Sequence, residues 1–298
     1  MQHGRFSVLR NLSGKGLAAV LIWGASFIVT RLALKSFHPF GLVAIRLLAG
    51  TLLLGLVLRS RGGNPWPERS DRPICWFLGV VLGAHLLIQA FGLERTSAGS
   101  TGWIIGFIPI MIALGAHALG VQSLGRVGWL GILIGTGGIL AVVLARLSDF
   151  QGAREGNLLQ VASCVTWTIY TLAAAGPIAR NGVLRITTFA MGVAAVITAL
   201  AAVTTSILSG PVTAAAVAAM LFLGLICNGL AYYLWFAAVD EHGPARSGPL
   251  LYLEPVVATI TGAIAGEQLV PNAIIGGLCV LAGVWLVSKG TTTRSRSK

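Results

Sequence analysis

The sequence predicts an all-α membrane protein with ten transmembrane helices in two inverted five-helix repeats. Three observations predict this fold class: an apolar composition, ten apolar stretches of membrane-spanning length, and a glycine and proline pattern that recurs at one offset. Hydrophobic residues make up 55% of the 298 residues and charged residues only 10%, against roughly 25% charged residues in an ordinary soluble domain. So few charges cannot cover a water-facing surface, which excludes a disordered chain, a disulfide-rich secreted domain and a soluble enzyme.

Each predicted span is a continuous apolar stretch long enough to cross a bilayer, which needs about 20 residues. The stretches do not alternate between apolar and polar residues, so they indicate helices and not a β-barrel. The spans are predicted near residues 16–35, 39–58, 73–93, 97–119, 125–145, 156–177, 183–208, 212–239, 243–265 and 269–288.

The distribution of Lys and Arg predicts the orientation of the chain. With the N-terminus inside, the inside segments carry 15 basic residues and the outside segments carry 5, which favours two cytoplasmic termini because basic residues accumulate in cytoplasmic loops. The basic start is interpreted as part of an uncleaved signal anchor. The net charge of +12 is spread over short tracts, so it marks loops and not a nucleic-acid-binding face. The predicted organisation is a cytoplasmic N-terminal segment (1–15), a first repeat (16–145), a second repeat (156–288) and a basic cytoplasmic tail (289–298).

An internal repeat relates the two halves of the chain. A single offset of 146 residues superposes four pairs without gaps: Gly102 and Gly248, Pro109 and Pro255, Gly131 and Gly277, Gly137 and Gly283. Each half holds five spans, and because five is odd the second copy enters the membrane from the opposite side. The halves are then related by a pseudo-two-fold axis in the membrane plane, as in many secondary transporters.

Pro109 and Pro255 are predicted to kink two corresponding helices. Each proline removes a backbone N–H and frees a carbonyl, of Ile105 and of Leu251, which must find a polar partner in lipid. Such a pair points to a binding site near the bilayer midplane. The alternative is a packing kink without solute contact.

Polar and charged residues deep in a span are costly and usually functional or paired, and five of them are singled out as candidates. Arg46 is a candidate for charge pairing, or for extending its side chain to the interface. Glu254 is a candidate proton carrier, or forms a hydrogen bond with a neighbouring helix. His85 either titrates or bonds a backbone carbonyl, Gln89 shares its helix face, and Asn228 completes the set.

Aromatic residues near the middle of the spans are candidates for lining an apolar cavity with a few polar groups. The alternative is that they face lipid or fill the core. The candidates are Trp23, Trp103, Trp167, Tyr170 and Tyr232.

No sequence motif indicates catalysis. The chain lacks a phosphate-binding G-x-x-x-x-G-K-[ST] loop, an H-E-x-x-H helix and a G-x-S-x-G turn, so no catalytic residue, metal or cofactor is predicted. Cys75, Cys164, Cys227 and Cys279 form no C-x-x-C pair and are interpreted as small buried residues.

Two segments carry a family resemblance. IWGASFIVTRLAL (22–34) followed by HPFGLVAIRLLAG (38–50), and LYLEPVVATITGAIAGEQLVPNAIIGGLCVLAGVWLV (251–287), resemble the beginning and the end of EamA-type members of the drug/metabolite transporter superfamily. The first repeat departs from the pattern, because the offset places Val121 where the second repeat has Glu267, and Glu267 is given no solute role.

The resemblance implies a central cavity lined mainly by helices one to four and six to nine, with helices five and ten as peripheral supports. It places the candidate residues on cavity-lining helices: Trp23, Arg46, His85, Gln89, Trp103, Trp167, Tyr170, Asn228, Tyr232 and Glu254. The expected function is export of small organic metabolites such as amino acids across the bacterial inner membrane by alternating access, and not catalysis. The alternative is a lipid-carrier flippase or a non-transporting membrane partner protein. The expected partners are a solute and membrane lipid, with a proton as a candidate coupling ion, no nucleic acid, and a monomer or homodimer.

Overall fold

The computed structural model describes residues 13–120, 123–145, 153–266 and 271–292. Ten helical segments make up nearly all of this described part of the chain, and the predicted all-α fold of two five-helix repeats is confirmed. The helices are α1 (Gly14–Leu34), α2 (Pro39–Ser60), α3 (Arg72–Arg95), α4 (Ala98–Ala118), α5 (Arg126–Ala145), α6 (Arg154–Asn181), α7 (Val183–Val203), α8 (Ala214–His242), α9 (244–264) and α10 (Pro271–Gly290).

Within the described ranges, seven helices are long and apolar enough to cross a bilayer: α1 to α4 and α6 to α8. The other three complete the two sets of five. The fifth helix of the first repeat, α5, is also apolar. In the second repeat, α9 is divided into short helical pieces, and α10 begins directly after residues 267–270, which lie outside the described ranges.

Three helices are not continuous α-helices. The first half of α4 (Ala98–Ile105) is separated from the second (Ile108–Ala118) by two residues, and α9 passes from a turn of α-helix through a 3-10 segment (Gly248–Tyr252) into Leu253–Ile264. The middle of α8 is a π-helix, Phe222–Ala231. Such wide turns are rare and are often found at functional sites.

The seventh span is shorter than predicted, because α7 ends at Val203 and not near residue 208. The backbone that follows bonds to the α1–α2 connection instead of continuing the helix. The amide of His38 donates to the Ile207 carbonyl at 3.0 Å, and the amide of Ser209 donates to the Ser36 carbonyl at 3.0 Å.

Helices of the two repeats interleave, with α2 along α7, α3 along α6, and α1 against α8 and α9. The interior therefore forms between the repeats and not within either one.

At the periphery, α5 packs along α10. A Cβ atom added to Gly131 would lie 2.7 Å from the Gly283 carbonyl oxygen, so the two backbones are in direct contact. A short antiparallel pairing of Ser123–Leu124 with Thr291–Thr292 joins the beginning of α5 to the end of α10.

Candidate functional site

A small cavity of about 40 Å³ lies in the interior between the repeats. Its lining comes from α1, α2, α3, α4, α6, α8 and α9, and among the described residues α7 contributes none. This volume holds one or a few water molecules and is far below the roughly 300–1,000 Å³ of a small-molecule pocket. The lining residues are Trp23, Ser26, Phe27, Arg46, His85, Leu86, Gln89, Ile105, Ile108, Trp167, Tyr232 and Glu254.

Three aromatic rings form one wall of the cavity. The ring centroid of Trp23 lies 5.1 Å from that of Trp167 and 5.3 Å from that of Tyr232, and the Trp167 and Tyr232 centroids are 5.6 Å apart, all edge to face. Such pairs are favourable beyond the area that they bury. The indole N–H of Trp23 donates to the Cys227 carbonyl at 3.1 Å, so the π-helix of α8 fixes the orientation of this ring.

Arg46 is 4% exposed and is held by Asn228. Its Nε donates to the Asn228 Oδ1 at 2.7 Å. Among the described residues this is the one side-chain hydrogen bond that Arg46 makes, and the Nδ2 of Asn228 is buried without a partner. Donors that could bind an anion are therefore left over at this side of the cavity.

Glu254 is 4% exposed and lies on α9 immediately before Pro255. Within the described part of the chain it has no hydrogen bond or ion pair, and it makes no ion pair with Arg46 although both line the cavity. Burying a carboxylate without a partner is costly, which makes Glu254 a strong candidate for contact with a cation or a proton.

His85 bonds to α6 through one ring nitrogen. Its Nδ1 lies 3.0 Å from the Ser163 carbonyl oxygen and 3.2 Å from the Thr166 Oγ1. A carbonyl only accepts, so Nδ1 carries the proton and Nε2 is the acceptor in the neutral ring. The ring packs on Trp167 at 5.2 Å.

The structure brings most of the predicted residues to the cavity, namely Trp23, Arg46, His85, Gln89, Trp167, Tyr232 and Glu254. Three predicted solute-binding residues lie behind its wall. Asn228 supports Arg46, Tyr170 packs behind Trp167 and against Phe236, and Trp103 is 1% exposed with its indole N–H unpaired among the described residues.

Five lining residues were not predicted from the sequence: Ser26, Phe27, Leu86, Ile105 and Ile108. Helical spacing was a usable signal for two of them, because Ser26 and Phe27 follow Trp23 by three and four residues and share its face.

Both prolines lie where their helices are interrupted. Pro109 is in the first turn of the second half of α4, and Pro255 is in the first turn of the last part of α9. Ile105 and Ile108, on either side of the α4 interruption, and Glu254 beside Pro255 line the cavity. Glu267 and Val121, which were compared in the two repeats, lie outside the described residues.

A polar cluster joins the two repeats at the end of the bundle where α1 begins. Asp71, before α3, accepts hydrogen bonds from Arg180 Nε at 2.9 Å, Arg180 Nη2 at 2.6 Å and Asn181 Nδ2 at 2.6 Å. The Asn181 Oδ1 accepts from the Glu68 amide at 2.8 Å. These bonds join the α2–α3 connection of one repeat to the α6–α7 turn of the other, and we call them the Asp71 cluster.

At the opposite end of the bundle, a vestibule of about 640 Å³ is lined by α1, α3 and α9, with Arg31, Lys35 and Glu94 among its residues. The vestibule is adjacent to the cavity along α1 and α3. Its residue Ile28 directly follows Phe27 of the cavity, and its residue Leu93 lies one helical turn beyond Gln89 of the cavity. At this same end the backbone bonds between residues 36–38 and 207–209 join the two repeats.

Comparisons with known proteins agree with this arrangement. The model of the EamA-like transporter family matches residues 15–144 and 154–289. An uncharacterized transporter of Archaeoglobus fulgidus is 26% identical over 90% of this chain and 94% of its own length. A probable terminal-alkyne amino-acid exporter of Streptantibioticus cattleyicolor is 27% identical over 93% of each chain. The uncharacterized inner membrane transporter YedA of Escherichia coli K12 is 24% identical over 89% of this chain and 86% of its own.

A solved crystal structure superposes on this chain with a TM-score of 0.76 at 21% identity, covering 92% of this chain and 95% of that one. At this level of identity the similarity supports the fold alone.

Proposed function

Because this chain belongs to the EamA-like transporter family, we propose that it exports small organic metabolites, amino acids among them, across the bacterial inner membrane. The chain is a multi-pass membrane transporter. The proposal of amino-acid export rests on two buried and incompletely paired charged residues, Arg46 and Glu254, which line the same aromatic cavity.

The chemistry of the lining fits a zwitterion. The free guanidinium donors of Arg46 suit a carboxylate, the Glu254 carboxylate suits an ammonium group, and the rings of Trp23, Trp167 and Tyr232 suit an apolar side chain. The relative from Streptantibioticus cattleyicolor, named as an amino-acid exporter, supports this class of solute.

The closed cavity fits an intermediate of alternating access. A cavity of about 40 Å³ does not admit an amino acid, and connections at both ends of the bundle are bonded between the repeats. Transport then requires the repeats to rotate against each other, so that the Asp71 cluster and the Ser36–Ser209 bonds open in turn. We place both termini and the Asp71 cluster on the cytoplasmic side.

A proton is the proposed counter-ion for Glu254 when the cavity holds no solute. Protonation neutralises the buried carboxylate, and an arriving ammonium group replaces the proton. Solute movement in one direction would then accompany proton movement in the other.

The test is counterflow of radiolabelled amino acids into proteoliposomes that contain the purified protein. The Glu254→Gln and Arg46→Gln variants are expected to reduce transport by more than tenfold, because each removes one charged contact of the solute. Arg126→Gln is the matched control, since Arg126 is exposed and lies at the start of α5, away from the cavity. If no amino acid moves faster than in protein-free liposomes the proposal is wrong, and movement of a labelled lipid carrier instead would favour the flippase alternative.

A further inference from the structure

An apolar groove of about 690 Å³ runs along the outer surface of the bundle between α2 and α7. Small residues of α2 and α7, including Ala44, Gly192 and Ala199, are among those that line it. On α7 the lining extends from Thr188 to Val203, or about 22 Å at 1.5 Å per residue. This exceeds one leaflet of a hydrocarbon core that is roughly 30 Å thick.

One end of the groove is aromatic. Trp66 and Trp76 lie 5.6 Å and 5.5 Å from Phe189 between ring centroids, and all three line the groove. Both tryptophans are about half exposed. Tryptophans at such positions lie at the level of the lipid headgroups, so this end of the groove meets the membrane surface.

The same end is basic. The Arg72 guanidinium lies over the Trp66 ring at 5.6 Å. Arg185 precedes Phe189 by one helical turn on α7, and its Nε is buried with no hydrogen-bond partner among the described residues.

Few carboxylates offset these charges. Segments 59–72 and 180–185 together carry six arginines and two acidic residues. One of the two acidic residues, Asp71, already accepts from Arg180 and Asn181, and the other, Glu68, is exposed. The basic residues are Arg59, Arg61, Arg69, Arg72, Arg180 and Arg185.

We propose that this groove binds an anionic phospholipid, with an acyl chain between α2 and α7 and the headgroup phosphate at Arg185 and Arg72. The apolar groove and the basic end match the two parts of such a lipid in order. Basic pockets between transmembrane helices on the cytoplasmic side are known to favour anionic headgroups. The lipid site is separate from the central cavity and does not depend on what the cavity carries.

A second copy of the chain fits the groove less well. In a two-fold dimer with both copies in the same membrane orientation, the α2–α7 surface meets its own copy. The arginine-rich ends would then face each other, and like charges brought together oppose association.

The test is native mass spectrometry of the purified full-length protein titrated with phosphatidylglycerol or with phosphatidylcholine. We expect one tightly retained phosphatidylglycerol and no retained phosphatidylcholine. At about 1 kcal/mol for each basic residue near a phosphate, Arg185→Gln reduces the affinity for phosphatidylglycerol about fivefold, and Arg185→Gln with Arg72→Gln about thirtyfold. Arg126→Gln removes the same charge away from the groove and leaves the retained lipid unchanged. Equal retention of both lipids, or an equal loss in Arg126→Gln, would overturn the proposal.

The apolar part of the site is tested separately by filling the groove. Ala199→Trp places a large ring in it, whereas Leu200→Trp adds a ring at a neighbouring exposed position that does not line the groove. We expect only Ala199→Trp to displace phosphatidylglycerol. A dimer in light scattering that Ala199→Trp converts to a monomer would show that a second copy fills the groove, and the lipid proposal would fail.

Discussion

Arg46 and Glu254 differ in how the protein holds them. Arg46 has a fixed partner, because the Asn228 oxygen lies 2.7 Å from its Nε, while Glu254 has no partner among the described residues. A buried ion that stays charged needs hydrogen bonds to offset its desolvation. The bond to Asn228 therefore orients Arg46 and offsets part of its desolvation, whereas Glu254 depends on whatever enters the cavity.

Replacing Asn228 with alanine is expected to lower stability by about 1.5–3 kcal/mol, the range for a hydrogen bond to a charged group. Asn228→Asp retains an acceptor for Arg46 and is expected to preserve more stability than the alanine variant. Thermal unfolding in detergent micelles measures both. Thr51→Ala is the control, since within the described ranges its hydroxyl bonds the Leu47 carbonyl of its own helix and no other group. Equal unfolding temperatures for Asn228→Ala and Thr51→Ala would contradict the role assigned to Asn228.

At the scale of the element, the interruptions in α4 and α9 border the cavity, and the π-helix of α8 holds two residues that line it. The π-helix of α8 directs the Cys227 carbonyl to Trp23 and the Asn228 side chain to Arg46. The breaks in α4 and α9 bring Ile105, Ile108 and Glu254 to the same space. Irregular backbone is tolerated at membrane depth where protein surrounds it or where it lines a water-filled cavity, and these interruptions lie in the interior of the described part of the chain.

Two glycines on the uninterrupted helix α5 are predicted to differ in how much an alanine substitution changes the stability of the protein. A Cβ on Gly131 would lie 2.7 Å from the Gly283 carbonyl oxygen, whereas a Cβ on Gly137 would meet nothing within 4 Å. Gly131→Ala should therefore destabilise the protein by about 1–3 kcal/mol through overpacking. Gly137→Ala should be neutral or stabilising by up to about 1 kcal/mol, because alanine favours a helix. Thermal unfolding of the two variants compares them directly, and a lower midpoint for Gly137→Ala than for Gly131→Ala would contradict the contact between α5 and α10.

Sequence reasoning went furthest where a signal is periodic or local. Apolar length identified the helices, and the recurrence of Pro109 at Pro255 identified the two repeats. Cavity residues such as His85 and Glu254 could be predicted because they are polar residues within apolar spans. Leu86 and Ile105 are apolar among many apolar residues, so nothing in the sequence separates the inner face of their helices from the outer. The end of α7 at Val203 was not predicted, because it depends on contacts with the α1–α2 connection, about 170 residues earlier in the chain. One of these contacts is the backbone hydrogen bond from Ser209 to Ser36.

At the scale of the whole molecule, the two repeats are joined at both ends of the bundle. One junction is the Asp71 cluster between side chains, and the other is the backbone pairing around Phe37 and Leu208. The pseudo-two-fold axis relates these junctions, since the α2–α3 and α6–α7 connections of one correspond to the α7–α8 and α1–α2 connections of the other. Passage of a solute through the proposed cycle requires each junction to open while its counterpart stays closed.

Locking one junction should therefore stop transport. Phe37 and Leu208 pair as antiparallel neighbours, whose Cα atoms lie about 4.5–5.5 Å apart, within the range that a disulfide accepts. The double variant Phe37→Cys with Leu208→Cys is expected to lose transport under oxidation and to regain it with a reductant. Each single cysteine variant controls for the substitutions and for the native cysteines. Transport at the wild-type rate by the fully cross-linked protein would rule out opening at this junction.

The direct backbone contact between α5 and α10 restricts where the molecule can deform. Backbone lies against backbone at Gly131 and Gly283, so a shift of one residue there would drive a Cβ atom into a peptide group. In the proposed transport cycle, the two helices are expected to move together as one rigid unit at the periphery while the other eight helices rearrange. Substitutions on the outward surfaces of that pair are then expected to leave solute selection unchanged, because no described residue of either helix lines the cavity.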